Sequence, residues 1–84
     1  MATNIYVGNL PFTTDSTELE NLFAEYGSVD RAQVISDRET GRSRGFGFVE
    51  MSDDNEAQAA IEGLNGKDVG GRQLRVNVAK ERSR

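Results

Sequence analysis

Residues 44–51 read Arg44-Gly45-Phe46-Gly47-Phe48-Val49-Glu50-Met51. Successive side chains of a strand point to opposite faces. Alternation therefore puts Arg44, Phe46, Phe48 and Glu50 on one side, and Gly45, Gly47, Val49 and Met51 on the other. Val49 and Met51 make a natural core pair, beside glycines that let a helix approach closely. Two phenylalanines then fall on the face that the core does not use. Ile5 to Gly8 repeats the pattern, with Ile5 and Val7 on one side and Tyr6 and Gly8 on the other. Asn9-Leu10-Pro11 ends that strand, because Pro cannot donate to a ladder.

Between these strands, residues 15–26 predict a helix. Leu19, Leu22, Phe23 and Tyr26 recur at i, i+3, i+4 and i+7. Asp15 followed by Glu18 is a capping-box start, and Gly27 is the expected stop. Val29 to Ser36 predicts a strand, with Ala32 and Val34 alternating against Gln33 and Ile35. A polar turn over 37–43 contains Thr40-Gly41. Residues 53–64 predict a second helix through Ala57, Ala60, Ile61 and Leu64, capped by Ser52 or Asp53 with Glu56 in the first turn. Asn65-Gly66 and Gly70-Gly71 mark turns. Gln73 to Val78 predicts the last strand, with Leu74, Val76 and Val78 alternating with Gln73, Arg75 and Asn77.

The order is β-α-β-β-α-β, which predicts an α+β, ferredoxin-like fold: a four-stranded antiparallel sheet with both helices packed on one face. The domain is expected over 4–80, with a flexible N-terminus at 1–3 and a basic, flexible tail at 81–84. The consequence for function is direct, because one face of the sheet is left open.

Composition narrows the choices. The chain has 84 residues, too few for two lobes around a cleft. Cys and His are both absent. Disulfides, thiolate metal sites, a cysteine nucleophile and the commonest general base are thereby excluded. No apolar run approaches the roughly 18 residues that span a bilayer. Gly45-x-Gly47 is followed by Glu50 where a dinucleotide fingerprint needs glycine, and Gly66-Lys67 lacks the rest of a P-loop. Asp53-Asp54-Asn55 lacks calcium-loop spacing and reads as a helix cap. No catalytic residue, cofactor, metal or membrane partner is expected.

Net charge is −4, but it is segregated. Residues 1–30 carry Asp15, Glu18, Glu20, Glu25 and Asp30 with no base. Residues 51–71 carry Asp53, Asp54, Glu56, Glu62 and Asp68 against Lys67. The arginines gather at 38–44 and 72–84. The acids belong to the helical side and the bases to the open face, so a net negative chain is compatible with a polyanionic partner.

Tyr6, Phe46 and Phe48 on an uncovered sheet, flanked by arginine, form an apolar patch of the kind that marks a binding site. Base stacking explains it, since each nucleic-acid base offers a π-face. The segment 44–51 resembles the first ribonucleoprotein motif of the RNA recognition motif family, matching every position except Met51, where the pattern has an aromatic. Ile5-Tyr6-Val7-Gly8-Asn9-Leu10 is similar to the family's second motif. The resemblance runs over roughly residues 4–80 and is like that of short bacterial and organellar members. It implies that Tyr6 and Phe48 stack on successive bases, Phe46 packs on the sugars between them and Arg44 pairs with a phosphate. Arg75, Asn77 and the backbone near Ala79 would contact base edges, and Gln33 and Ile35 would extend the platform. Arg38, Arg42 and Lys80, with Arg82 and Arg84, would follow the phosphate backbone.

The resemblance implies a non-enzymatic monomer that binds single-stranded RNA, such as mRNA, inside the cell. The cytoplasm is the first expectation, with an organelle stroma or nucleus also open, and a post-transcriptional or RNA-chaperone role follows by analogy. Two alternatives use the same sequence differently. A protein-interaction module would use the acidic helical face, and single-stranded DNA could lie on the same aromatics. Phe12 is expected to pack on the domain edge, and Asn9 to serve as a structural turn residue.

Overall fold

The computed structural model describes residues 3–79. Its elements are β1 (Thr3–Gly8), α1 (Ser16–Ala24), β2 (Val29–Ser36), β3 (Ser43–Met51), α2 (Asp54–Leu64), β4 (Asp68–Val69), β5 (Arg72–Gln73) and β6 (Arg75–Val78). Strands run in the order β2-β3-β1-β6, every pairing antiparallel. The fold is the ferredoxin-like α+β arrangement, with β6 as its fourth strand. β1 starts at Thr3, inside the segment expected to be flexible.

One cluster joins Ile5 and Val7 of β1, Val49 and Met51 of β3, and Val76 of β6 to Leu19 and Phe23 of α1 and Ala57, Ala60 and Leu64 of α2. Both helices therefore cover the same sheet face. Leu22, Tyr26 and Ile61 complete the helical stripes at its margin. Val78 alternates in step with buried Leu74 and Val76 but is 48% exposed. It is the last residue of an edge strand, so only β1 flanks it.

Asp15 caps α1 by accepting from the Glu18 amide at 2.9 Å, and Glu18 returns the bond to the Asp15 amide. The helix ends at Ala24 rather than Tyr26. Its chain tightens as the Tyr26 amide donates to the Phe23 carbonyl at 2.9 Å. Tyr26 then lies over Gly63 of α2, where a Cβ would overlap its ring. Gly27 is not the left-handed stop that the sequence suggested. It leaves room for Glu56, whose carboxylate accepts from the Ser28 amide at 3.2 Å. Glu56 is thus spent between elements, and the box expected at α2 is incomplete. Asp53 caps that helix through the Asn55 and Glu56 amides at 2.8 and 3.1 Å.

Two features depart from the expected strands. Arg72 and Gln73 belong not to the main sheet but to a hairpin, β4 with β5. Gly70 and Gly71 form its two-residue loop, both at positive φ (59° and 85°), as the turn type that matches strand twist requires. The second departure is a bulge in β3. Val34 pairs with Gly47 and Ser36 with Ser43, so Arg44, Gly45 and Phe46 lie opposite Ile35 alone. Gly45 has φ +84°, a conformation open to glycine. Simple alternation therefore does not carry back from Phe46 to Arg44.

Candidate nucleic-acid interface

Register assembles the open face. Gln33, Phe48, Tyr6 and Asn77 are partners across β2, β3, β1 and β6 and form one row. Phe46, Gly8 and Arg75 form the next. Residues four strands and more than forty positions apart in the chain thus meet on one surface.

Tyr6, Phe46 and Phe48 form a triangle with ring centroids 5.9–6.0 Å apart. Phe48 stands edge-on to both others, while Tyr6 and Phe46 are tilted by 32°. Edge-to-face contact suits the quadrupole of aromatic rings and holds each in a fixed pose. Phe48 remains 41% exposed, and Tyr6 and Phe46 are half-buried.

Gly8 was not singled out as a site residue, yet it shapes the triangle. It lies on the open face but is buried, because the Tyr6 ring covers it. A Cβ there would come within 2.9 Å of Tyr6 Cε2. Without a side chain at Gly8 the ring lies flat along β1. The signal in the sequence is a glycine two residues beyond an aromatic, on the same face.

The remaining expected residues take different places. Gln33, Arg75 and Asn77 are exposed at the ends of the two rows. Arg44 is exposed on the bulge, and Ile35 is half-buried opposite it. Arg38 and Arg42 sit in a closed loop, where the Asp37 amide donates to the Arg42 carbonyl at 2.7 Å and the Gly41 amide to the Asp37 carbonyl at 2.8 Å. The Asp37 carboxylate accepts from the Glu39 amide at 2.8 Å. At Ala79 the backbone N–H donates to the Asn4 carbonyl at 2.8 Å. Lys80, Arg82 and Arg84 lie outside the described residues.

Charge varies along the strands as well as between faces. Arg44 and Arg75 lie at the end of the sheet where β1 finishes and β3 begins, the loop with Arg38, Arg42, Asp37 and Glu39 adjoins that end, and Arg72 of the hairpin reaches it through Asn9. Asp30, Glu50, Asp53 and Asp54 belong to the other end, where Ser52 donates to Asp30 and Thr3 to Asp54. A groove of about 420 Å³ lies elsewhere, between α1 and the β4–β5 hairpin. None of the three triangle aromatics lines it. The triangle is an open aromatic surface rather than a cavity, which suits planar ligands better than an enclosed small molecule.

Fold and platform together define a class: antiparallel sheet domains that present clustered aromatic rings on a face free of helices. The chain belongs to the RNA recognition motif family, whose model matches residues 5–75. It is 60% identical over 83 residues to an RNA-binding protein of Arabidopsis thaliana, chloroplastic CP31B, covering 99% of this chain and 29% of that one. It is 57% identical over 79 residues to the putative RNA-binding protein RbpA of Synechocystis, covering 94% of this chain and 78% of that one. The chain thus spans less than a third of the chloroplast relative. Among solved structures, RNA-binding protein PG1 superposes with a TM-score of 0.91 at 54% identity, over 98% of this chain and 99% of that one. The Rna15 domain with bound RNA (GU) superposes with a TM-score of 0.84 at 28% identity, over 93% and 83%. The compared relatives are named as RNA-binding proteins, and no enzymatic family is indicated.

Proposed function

We propose that residues 4–80 bind single-stranded RNA on the open sheet face, without catalysis. The observation that carries this reading is the triangle of Tyr6, Phe46 and Phe48 on the face opposite the helices. Tyr6 and Phe48 stack on successive bases, and Phe46 packs on the sugars between them. Gln33, Ile35, Arg75 and Asn77 border the bases, while Arg38, Arg42, Arg44 and Lys80 follow the phosphates. Ala79 contributes through its backbone beyond the N–H already bonded to Asn4. Bases must be unpaired to lie on a sheet, which selects single strands over duplexes. The domain acts as a monomer on transcripts, in a post-transcriptional role, in the cytoplasm or in an organelle stroma.

An NMR titration of labelled protein with short mixed-sequence RNA at low salt tests this. Shifts concentrated at Tyr6, Phe46, Phe48, Arg75 and Asn77 are the expected result. A folded sample whose sheet signals stay still would overturn it. A parallel titration with deoxyribose oligomers measures how much the 2′-OH contributes.

A further inference from the structure

Phe12 does not pack away at the domain edge. It is 62% exposed, the highest value among the large exposed apolar side chains of the described residues. A single exposed apolar residue is ordinary. Three observations set this one apart. The Arg72 guanidinium carbon lies 5.0 Å from its ring centroid, within cation–π range. Arg72 is itself held, because its Nη1 donates to Asn9 Oδ1 at 3.1 Å, and Asn9 Nδ2 donates to the Gln73 carbonyl at 2.7 Å. Asn9 adopts φ 60° to make this link, uncommon outside glycine. Finally, the bulge of β3 meets Phe12 at Gly45, where a Cβ would come within 3.3 Å of the ring. Gly45 immediately precedes Phe46 in the chain, so Phe12 lies at the arginine-bearing end of the sheet, beside the residue that leads into the aromatic strand.

We propose that Phe12 and Arg72 form a further stacking position, which takes one additional base of a bound RNA where it leaves the Phe46–Arg75 row. This rests on the RNA reading above. The ring offers a π-surface already ordered by a cation, and Arg72 adds a charge for the neighbouring phosphate. The hairpin explains how the position is built: its two-glycine loop returns the chain so that Arg72 reaches across to β1's end.

The test compares two RNAs, one of about four nucleotides and one extended by about two at either end. Native protein is expected to bind the extended RNA more tightly when the extension is at one end only. Phe12→Ala and Phe12→Leu are expected to remove that gain, roughly 5- to 150-fold for one stacked base, while leaving affinity for the short RNA unchanged. Phe12→Tyr is expected to keep it, and Arg72→Gln to reduce it. Thermal unfolding checks that the variants fold, and the leucine variant preserves apolar packing if alanine does not. An equal gain in native and Phe12→Leu proteins overturns the proposal. Failure of the native protein to bind even the short RNA overturns the RNA reading as well, which is a separate outcome.

Discussion

Phe48 shows how one side chain can serve binding more than folding. It is 41% exposed and outside the core cluster, so its removal opens no buried cavity. Phe48→Ala is expected to weaken RNA binding by about 1–3 kcal/mol, the worth of one stacked base, with little change in thermal stability. Fluorescence anisotropy with a labelled oligomer and a melting curve measure the two effects separately. Gly8 acts on the same surface from below. The group that a new Cβ meets there is the Tyr6 ring, the far end of a movable side chain. Gly8→Ala should therefore still fold but lift Tyr6 from the strand, and RNA affinity should fall. Unchanged affinity in a folded Gly8→Ala protein would show that the pose of Tyr6 is irrelevant to binding.

At the scale of elements, a glycine's neighbours decide its effect. Gly47 pairs with Val34 in the middle of β3. A Cβ there would overlap the Gln33 carbonyl oxygen and come within 3.1 Å of Leu19 Cδ2. A backbone carbonyl in a central sheet pairing cannot swing aside as Tyr6 can. Gly47→Ala is therefore expected to cost at least the roughly 1–3 kcal/mol typical of an overpacked core, visible as a lower urea midpoint. The cap of α2 is a milder case. Asp53 accepts two first-turn amides, and Asp53→Ala is expected to lose about 1 kcal/mol at unchanged m-value. RNA affinity of the folded fraction should not change, because this cap lies at the far end of the sheet.

For the whole molecule, the distribution of charge matters more than its sum of −4. Arg44 and Arg75 flank the platform, whereas Arg31 lies toward the acidic end, opposite Glu50. Each phosphate neutralised on a single strand contributes about −0.7 to the log–log slope of affinity against salt. Arg44→Gln and Arg75→Gln should each make that slope shallower by about this amount, and Arg31→Gln should leave it unchanged. A salt series of binding isotherms decides it. Equal effects of all three would mean that the RNA responds to net charge and not to this end of the sheet.

The order of the two helices and the four strands of the main sheet, the aromatic face and the capping residues Asp15 and Asp53 were legible in the sequence, because each follows from local periodicity or from side chains a few residues apart. Tyr6, Phe46 and Phe48 could be placed on one face from alternation alone, since the pleat has a period of two. What came only with the tertiary structure depends on contacts between distant segments. The β3 bulge is set by its pairing with β2, and it breaks the alternation that would have placed Arg44. Glu56 leaves its own helix cap for Ser28 because the chain after α1 passes beside α2. Gly27 and Gly8 look like turn or strand glycines until the side chains that occupy their space are known. Phe12 looked like edge packing because nothing local foretold that a hairpin at residues 68–73 would bring Arg72 onto its ring. Short-range patterns fix which way a side chain points, but the fold decides what it meets there.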